Sequence, residues 1–170
     1  LILCPTRELA VQVAEEIMSF RGGKKLSVLP IYGGQSYEIQ IRGLRKGAQI
    51  VVGTPGRVQD HINKGTLKLN TVKYMVLDEA DEMLNMGFEE EVREILKDVP
   101  EDRRMLLFSA TMPPNILRLV KTFIKPGYEL VEVQKEQVTT VMVDQMLYEI
   151  RDSDRFEALC RIIDTNPDFY

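Results

Sequence analysis

Short runs of apolar, β-favouring residues alternate with stretches of helical spacing along most of this chain. That alternation constrains the fold more than any other feature. Candidate strands fall at Leu1–Cys4, Leu26–Tyr32, Gln49–Gly53, Tyr74–Leu77, Met105–Ser109 and Glu129–Val133. Apolar residues then recur every three or four positions: Leu9, Val13 and Ile17 after the first strand, Phe88, Val92, Ile95 and Leu96 after the fourth, and Ile116, Val120 and Ile124 after the fifth. A period near 3.6 between period-2 or continuously apolar runs is the pattern of βαβ units, and it predicts an α/β fold with a mostly parallel sheet flanked by helices. Pro113 and Pro114 open the helix expected near Met112, in a first turn where a missing N–H costs little.

Beyond Val133 the text turns polar and loses its period (Gln134-Lys135-Glu136-Gln137-Val138-Thr139-Thr140), which predicts a linker over residues 134–144. A new βα unit is expected over residues 145–170. Its strand is Gln145–Ile150, and its helix is opened by Asp152 or Ser153 and carries Phe156, Leu159, Cys160 and Ile163 on one face. The chain begins at Leu1, inside a strand, and stops at Tyr170 with this unit unfinished, so both ends read as cuts through a larger protein.

Composition narrows the class. The 170 residues are 44% apolar and 28% charged, which is ordinary for a globular domain. No apolar run approaches the roughly 20 residues needed to cross a bilayer, and Leu1-Ile2-Leu3-Cys4 is too short for a signal-peptide core. A soluble, cytoplasmic protein is expected, with no membrane partner. Cys4 and Cys160 read as two buried thiols, and His61, with no Cys or His at ligand spacing, as a surface imidazole. A net charge of −4 excludes nucleic-acid binding by overall basicity, so any such site must be local. Glu89-Glu90-Glu91 reads as a solvated helix face.

The run Tyr74-Met75-Val76-Leu77 delivers Asp78-Glu79-Ala80-Asp81 at its carboxyl end, where open α/β sheets place their ligands. This is the arrangement of a Walker B strand. There the first Asp holds the Mg²⁺ that bridges nucleotide phosphates, and a neighbouring acid orients the attacking water. The bland alternative is an acidic turn whose carboxylates cap the following helix. Other strand ends carry strings of their own. Pro5-Thr6-Arg7-Glu8-Leu9-Ala10 follows the first, Gly33-Gly34 the second, Thr54-Pro55-Gly56-Arg57 the third and Ser109-Ala110-Thr111 the fifth. Hydroxyls, arginines and glycine at helix N-termini suit phosphate, because free N–H groups and the helix dipole favour anions. Gly33 and Gly34 allow a close backbone approach, or simply make a turn. For Arg7 and Arg57 the alternative is a surface ion pair. Ser109 and Thr111 have hydroxyls able to reach the Asp78–Asp81 loop, and Thr111 could equally cap a helix.

In this order and at this spacing the strings closely resemble those of the DEAD-box RNA helicases, over Leu1 to about Val133 and more weakly beyond. The resemblance implies an incomplete RecA-like, P-loop NTPase type of fold, with a partial first domain over residues 1–133 and the start of a second over 145–170. It implies ATP and Mg²⁺ as cofactors, with Asp78 on the metal, Glu79 at the attacking water, and Asp78, Glu79, Asp81, Ser109 and Thr111 as the catalytic and coupling set. Pro5, Thr6, Arg7, Gly33, Gly34, Thr54, Pro55, Gly56 and Arg57 would hold RNA, single strand or short duplex, by its backbone and with little sequence preference. The implied activity is RNA-stimulated ATP hydrolysis coupled to local duplex unwinding. A non-catalytic RNA clamp is the alternative, and a related DNA helicase is disfavoured by Asp81 and the Pro5–Ala10 string. No G-x-x-x-x-G-K-[ST] phosphate loop occurs in these residues, since Gly23-Lys24 is preceded by Met18 where the first glycine should stand. The 170 residues alone are therefore expected to be inactive.

Overall fold

The computed structural model describes residues 1–133 and 146–166, which fall into two compact units, Leu1–Tyr128 and Glu129–Tyr170. The first unit is built on five parallel strands: β1 (Ile2–Leu3), β2 (Val28–Ile31), β3 (Ile50–Gly53), β4 (Tyr74–Leu77) and β5 (Arg104–Leu107), in the order β2-β3-β1-β4-β5. Between them run α1 (Arg7–Phe20), α2 (Tyr37–Arg45), α3 (Pro55–Asn63), α4 (Ala80–Asn85) and α5 (Glu89–Asp98), and α6 (Pro114–Phe123) follows β5. The parallel α/β sheet expected from the alternation is present.

Residue alternation divides the core in two. Leu3, Ile31, Val51, Met75 and Leu77 pack with Val58 of α3, Ile95 and Leu96 of α5, and Ile116 and Leu119 of α6. On the opposite face Cys4 and Val52 meet Ala10 and Ala14 of α1. Several of these side chains are fully enclosed, Leu3, Met75, Leu77, Ile95 and Ile116 among them. Full burial of an aliphatic side chain contributes about 1.5–3 kcal/mol, so this layer carries the sheet. The α1 face thins toward β5, where Leu106 is 41% and Phe108 54% exposed.

Several expectations change. Glu129–Val133 is exposed and forms no strand, and residues 146–150 form none either, while Gln145 and the linker at 134–144 lie outside the described residues. Both runs have apolar, β-favouring text, but a strand exists only through a hydrogen-bonded neighbour, and no ladder pairs these residues. The second unit contains α7 (Arg155–Thr165) behind a 3₁₀ turn at Asp152–Asp154, so its N-cap is Asp154 instead of Asp152 or Ser153. Cys160 is half-buried, while Cys4 is fully buried. His61 is fully buried, not a surface imidazole. The sixth helix starts at Pro114, one residue after its cap Pro113. Glu89, Glu90 and Glu91 form the first turn of α5, where carboxylates complement the dipole, and Arg93 pairs with Glu89 at 2.9 Å.

Candidate functional site

The register places every strand end in one row. Ile31 pairs with Gly53, Gly53 with Leu3, Leu3 with Leu77, and Leu77 with Leu107. The ladder continues one residue further through Thr54 N–H to Ile31 O (3.0 Å), Cys4 N–H to Gly53 O (3.0 Å), Asp78 N–H to Leu3 O (2.9 Å) and Phe108 N–H to Leu77 O (2.8 Å). All five strings named above therefore leave the sheet along one edge. Connections from β1 and from its neighbour β4 depart in opposite directions, toward β2 and toward β5. Such a switch point is where open α/β sheets form a ligand crevice.

On the β4–β5 side the edge is acidic. Asp78 Oδ1 accepts the Glu79 N–H at 3.1 Å. Glu79 sits at φ 49°, ψ 53°, a left-handed conformation that costs a non-glycine residue about 1–2 kcal/mol, and its exposed side chain makes no capping bond to α4. A strained residue that caps nothing disfavours the bland reading of this turn. Nearby Cys4 registers the charge: its thiol is pushed up to about 12 by burial first, then by Asp78 and Glu79.

Asp81 has a different task. Its Oδ2 accepts the Thr111 hydroxyl at 2.6 Å and the Thr111 N–H at 2.9 Å, while its own N–H donates to Ser109 Oγ at 3.2 Å. Ser109 in turn donates to Thr111 O at 2.7 Å. The string after β5 is thus tied to the turn after β4, and Thr111 does not cap α6, whose N-cap is Pro113. Partial burial alone would raise the Asp81 pKa, but the bonds from Thr111 and Ser109 outweigh it and hold the carboxyl below 3.8. Because the folded pKa is depressed, this contribution to stability is present above the unfolded value and is lost as pH falls through the folded one. In Thr111→Val the Asp81 carboxyl should titrate closer to 3.8 in a ¹³C NMR pH series. An unmoved titration would exclude the hydroxyl as a cause.

On the β2–β3–β1 side the edge is basic and glycine-rich. Thr6 caps α1, its Oγ1 accepting Leu9 N–H at 3.2 Å, and Pro5 is buried beneath it. Arg7 is 61% exposed and shares Nε with Glu8 at 2.8 Å, an exposed pair that holds it weakly. Gly34 has φ +84°, and a Cβ there would lie 3.7 Å from Arg7 Nη1, so the turn after β2 and the start of α1 are neighbours. Gly33 and Gly56 face open space. Thr54 is the N-cap of α3 without a side-chain cap bond, and Pro55 is its first residue. An open groove of about 650 Å³ follows this edge, lined among others by Arg7, Gln12, Glu15, Tyr32, Gly34 and Gln35.

Arg57 departs from a simple surface grip. Only 16% of its side chain is exposed, and Nη1 donates to Gln35 O (3.2 Å) and Gln40 Oε1 (3.0 Å). Gln35, Gln40 and His61 therefore support this edge from beneath, and the strings leave them out. The signal for His61 was its position four residues after Arg57, on the same face of α3. Gln40, inside a polar stretch, gave none.

A row of parallel strand ends with an acid pair beside a basic, glycine-rich edge, on a parallel sheet flanked by helices, defines an α/β protein of the RecA-like class. Comparison makes this specific. The DEAD/DEAH box helicase model matches residues 1–119, and the chain belongs to that family. It is 51% identical over its whole length to a probable ATP-dependent RNA helicase of Methanocaldococcus jannaschii, of which it covers 44%. It is 50% identical over 164 residues to the DEAD-box ATP-dependent RNA helicase CshA of Geobacillus kaustophilus, covering 96% of this chain and 35% of the relative. The crystal structure of a DEAD box protein from the hyperthermophile Methanococcus jannaschii superposes with a TM-score of 0.75 at 52% identity, covering 95% of this chain and 43% of that one. The chain thus spans less than half the length of these relatives.

Proposed function

We propose that the protein containing this chain is an RNA-stimulated ATPase that separates short RNA duplexes, working in the cytoplasm. The observation that carries the reading is the single row of strand ends, in which the hydroxyl and carboxylate bonds of Asp81, Ser109 and Thr111 link the acidic turn to the string after β5. Two carboxylates at a strand end are hard oxygen donors that suit part of a Mg²⁺ shell completed by phosphates and water. Among the described residues no group of three or more such ligands occurs, which fits a shared ion better than a protein-only cage.

Bound Mg·ATP supplies the electrophilic γ-phosphoryl group. Asp78 would hold the magnesium and Glu79 would orient the water and take up its proton, with the charge free because the side chain caps no helix. Thr6, Arg7, Gly33, Gly34, Thr54, Pro55, Gly56 and Arg57 would set the RNA backbone along the other half of the row, without reading bases. Asp81 would carry movement of the acidic turn to the string after β5 through its bonds to Ser109 and Thr111.

The test is phosphate release by the full-length protein with and without single-stranded RNA, beside RNA affinity across a salt series. Arg7→Ala and Arg57→Ala should each lower the log–log salt slope by about 0.7, the value of one single-strand phosphate, and by the same amount for unrelated sequences. RNA binding without RNA-dependent turnover would support a passive clamp instead, and losses confined to one sequence would contradict a backbone grip.

A further inference from the structure

The sequence strings leave out a buried polar cluster that joins α2 and α3 beneath the basic edge. Gln40, fully buried, lies at its centre. Its Nε2 donates to Tyr32 O and to Gln35 Oε1, both at 2.9 Å, and its Oε1 accepts Arg57 Nη1 at 3.0 Å. Turning the amide over would set oxygen against two acceptors and NH₂ against a guanidinium, so the orientation is fixed. His61 Nε2 is 2.9 Å from the same Oε1 and must therefore carry a hydrogen. Its Nδ1 lies 2.8 Å from Thr66 Oγ1, whose hydroxyl donates to His61 O at 3.0 Å. Burial, with Arg57 and Lys64 nearby and Asp60 acting the other way, lowers the ring pKa from its ordinary value. The ring stacks on Tyr37 at 4.3 Å, and the Tyr37 ring is met by Arg57 at 5.0 Å and by Lys64 at 4.0 Å.

This cluster pins the two flexible parts of the basic edge. The turn holding Gly33 and Gly34 is tied at Tyr32 O by Gln40, at Gln35 O by Arg57, and across its mouth by Gln35 Nε2 to Tyr32 Oη at 3.2 Å. Arg57 is held at Nη1, and its Nε faces Asp60 at 3.9 Å. A long side chain and a diglycine turn would otherwise lose conformational freedom on meeting a ligand, and that loss weakens binding.

We infer that Gln40 and His61 are positioning residues for RNA: Gln40 orients Arg57 and the Gly33-Gly34 turn toward the nucleic-acid backbone, and the Nε2–H of His61 locks Gln40 in place. This rests on the proposed RNA grip. A mere folding role would predict losses that combine independently with removal of Arg57, whereas positioning predicts that the part exerted through Arg57 vanishes with it and only the part exerted through Tyr32 O remains.

The experiment is a double-mutant cycle on the full-length protein, read as single-stranded RNA affinity by fluorescence anisotropy and as KM for ATP without RNA. Gln40→Ala should weaken RNA binding about tenfold, but only about threefold in an Arg57→Ala background, where its tie to Tyr32 O is what remains to be lost. Gln40→Ala strands several buried partners, so His61→Leu gives a second arm that leaves the Gln40–Arg57 bond standing. About threefold weakening is expected there, largely restored in His61→Gln, whose amide N–H can reach Gln40 Oε1. KM for ATP should not move. Losses that multiply in the Arg57→Ala background, or a His61→Gln no better than His61→Leu, would overturn the inference. A wild-type protein that fails to bind the RNA would sink the grip itself, and the positioning role with it.

Discussion

Full-length protein carrying Glu79→Gln should bind ATP and RNA with affinities within about twofold of wild type and turn over about 10²–10⁴-fold more slowly, the usual contribution of a positioned acid–base group. The geometry makes this a clean substitution. Glu79 stands exposed at the start of α4 and makes no capping bond, so its charge is not committed to the fold. Its left-handed backbone is equally awkward for glutamine, so the strain is unchanged. What the amide loses is the negative charge and the capacity to take a proton from water. Single-turnover phosphate release beside equilibrium nucleotide binding distinguishes the outcomes. Turnover retained would remove Glu79 from the chemistry, and ATP binding lost with turnover would make it a ligand or a structural residue.

The parts of this molecule that could be read from the residues are those whose signal is local. Five strands and the helices containing Val13, Ile95 and Val120 follow from periodicity, since each buries one apolar face against the sheet. The strings at the strand ends were legible because parallel sheets put ligands at carboxyl ends, and the register then brought them into line. The misreadings occur where apolar text has no partner, as at Glu129–Val133, or where polar text is buried. The inward face of α2 reads Tyr37, Gln40, Ile41 and Leu44, a helical stripe interrupted by an amide, and a buried glutamine looks like surface until its four bonds are seen. His61 was misplaced for the same reason. Hydrogen bonds between residues twenty or so positions apart leave no periodic trace, so the support beneath Arg57 could only come from the fold.

Gly53→Ala should be among the most destabilising single-methyl additions in the first unit, and the loss should reach the RNA grip. A Cβ on Gly53 would lie 2.6 Å from Val58 Cγ2 and 2.7 Å from Ile31 O. Val58 is β-branched, fully buried and stiff about χ1, so it cannot turn aside. Ile31 O is backbone, held by Thr54 N–H at 3.0 Å, and Gly53 O itself accepts Cys4 N–H at 3.0 Å. Relief requires β3 to part from β2 or from β1, at a cost near or above the upper end of the about 1–3 kcal/mol typical of overpacking. For a unit of this size about 3 kcal/mol lowers the thermal midpoint by roughly 6–12 °C. The displaced bond is the one that sets Thr54, so Pro55, Gly56 and Arg57 move with it, and RNA affinity should fall more than ATP affinity. Gly56→Ala is the matched control: it faces open space at the second position of α3, where alanine is the better helix former. Its midpoint should hold or rise, so any weakening of RNA binding there reports a backbone that the ligand approaches closely. A Gly53→Ala protein with an unchanged midpoint would mean that β3 shifts freely. A lowered midpoint with intact RNA affinity would show that the strand end and the grip are not mechanically joined.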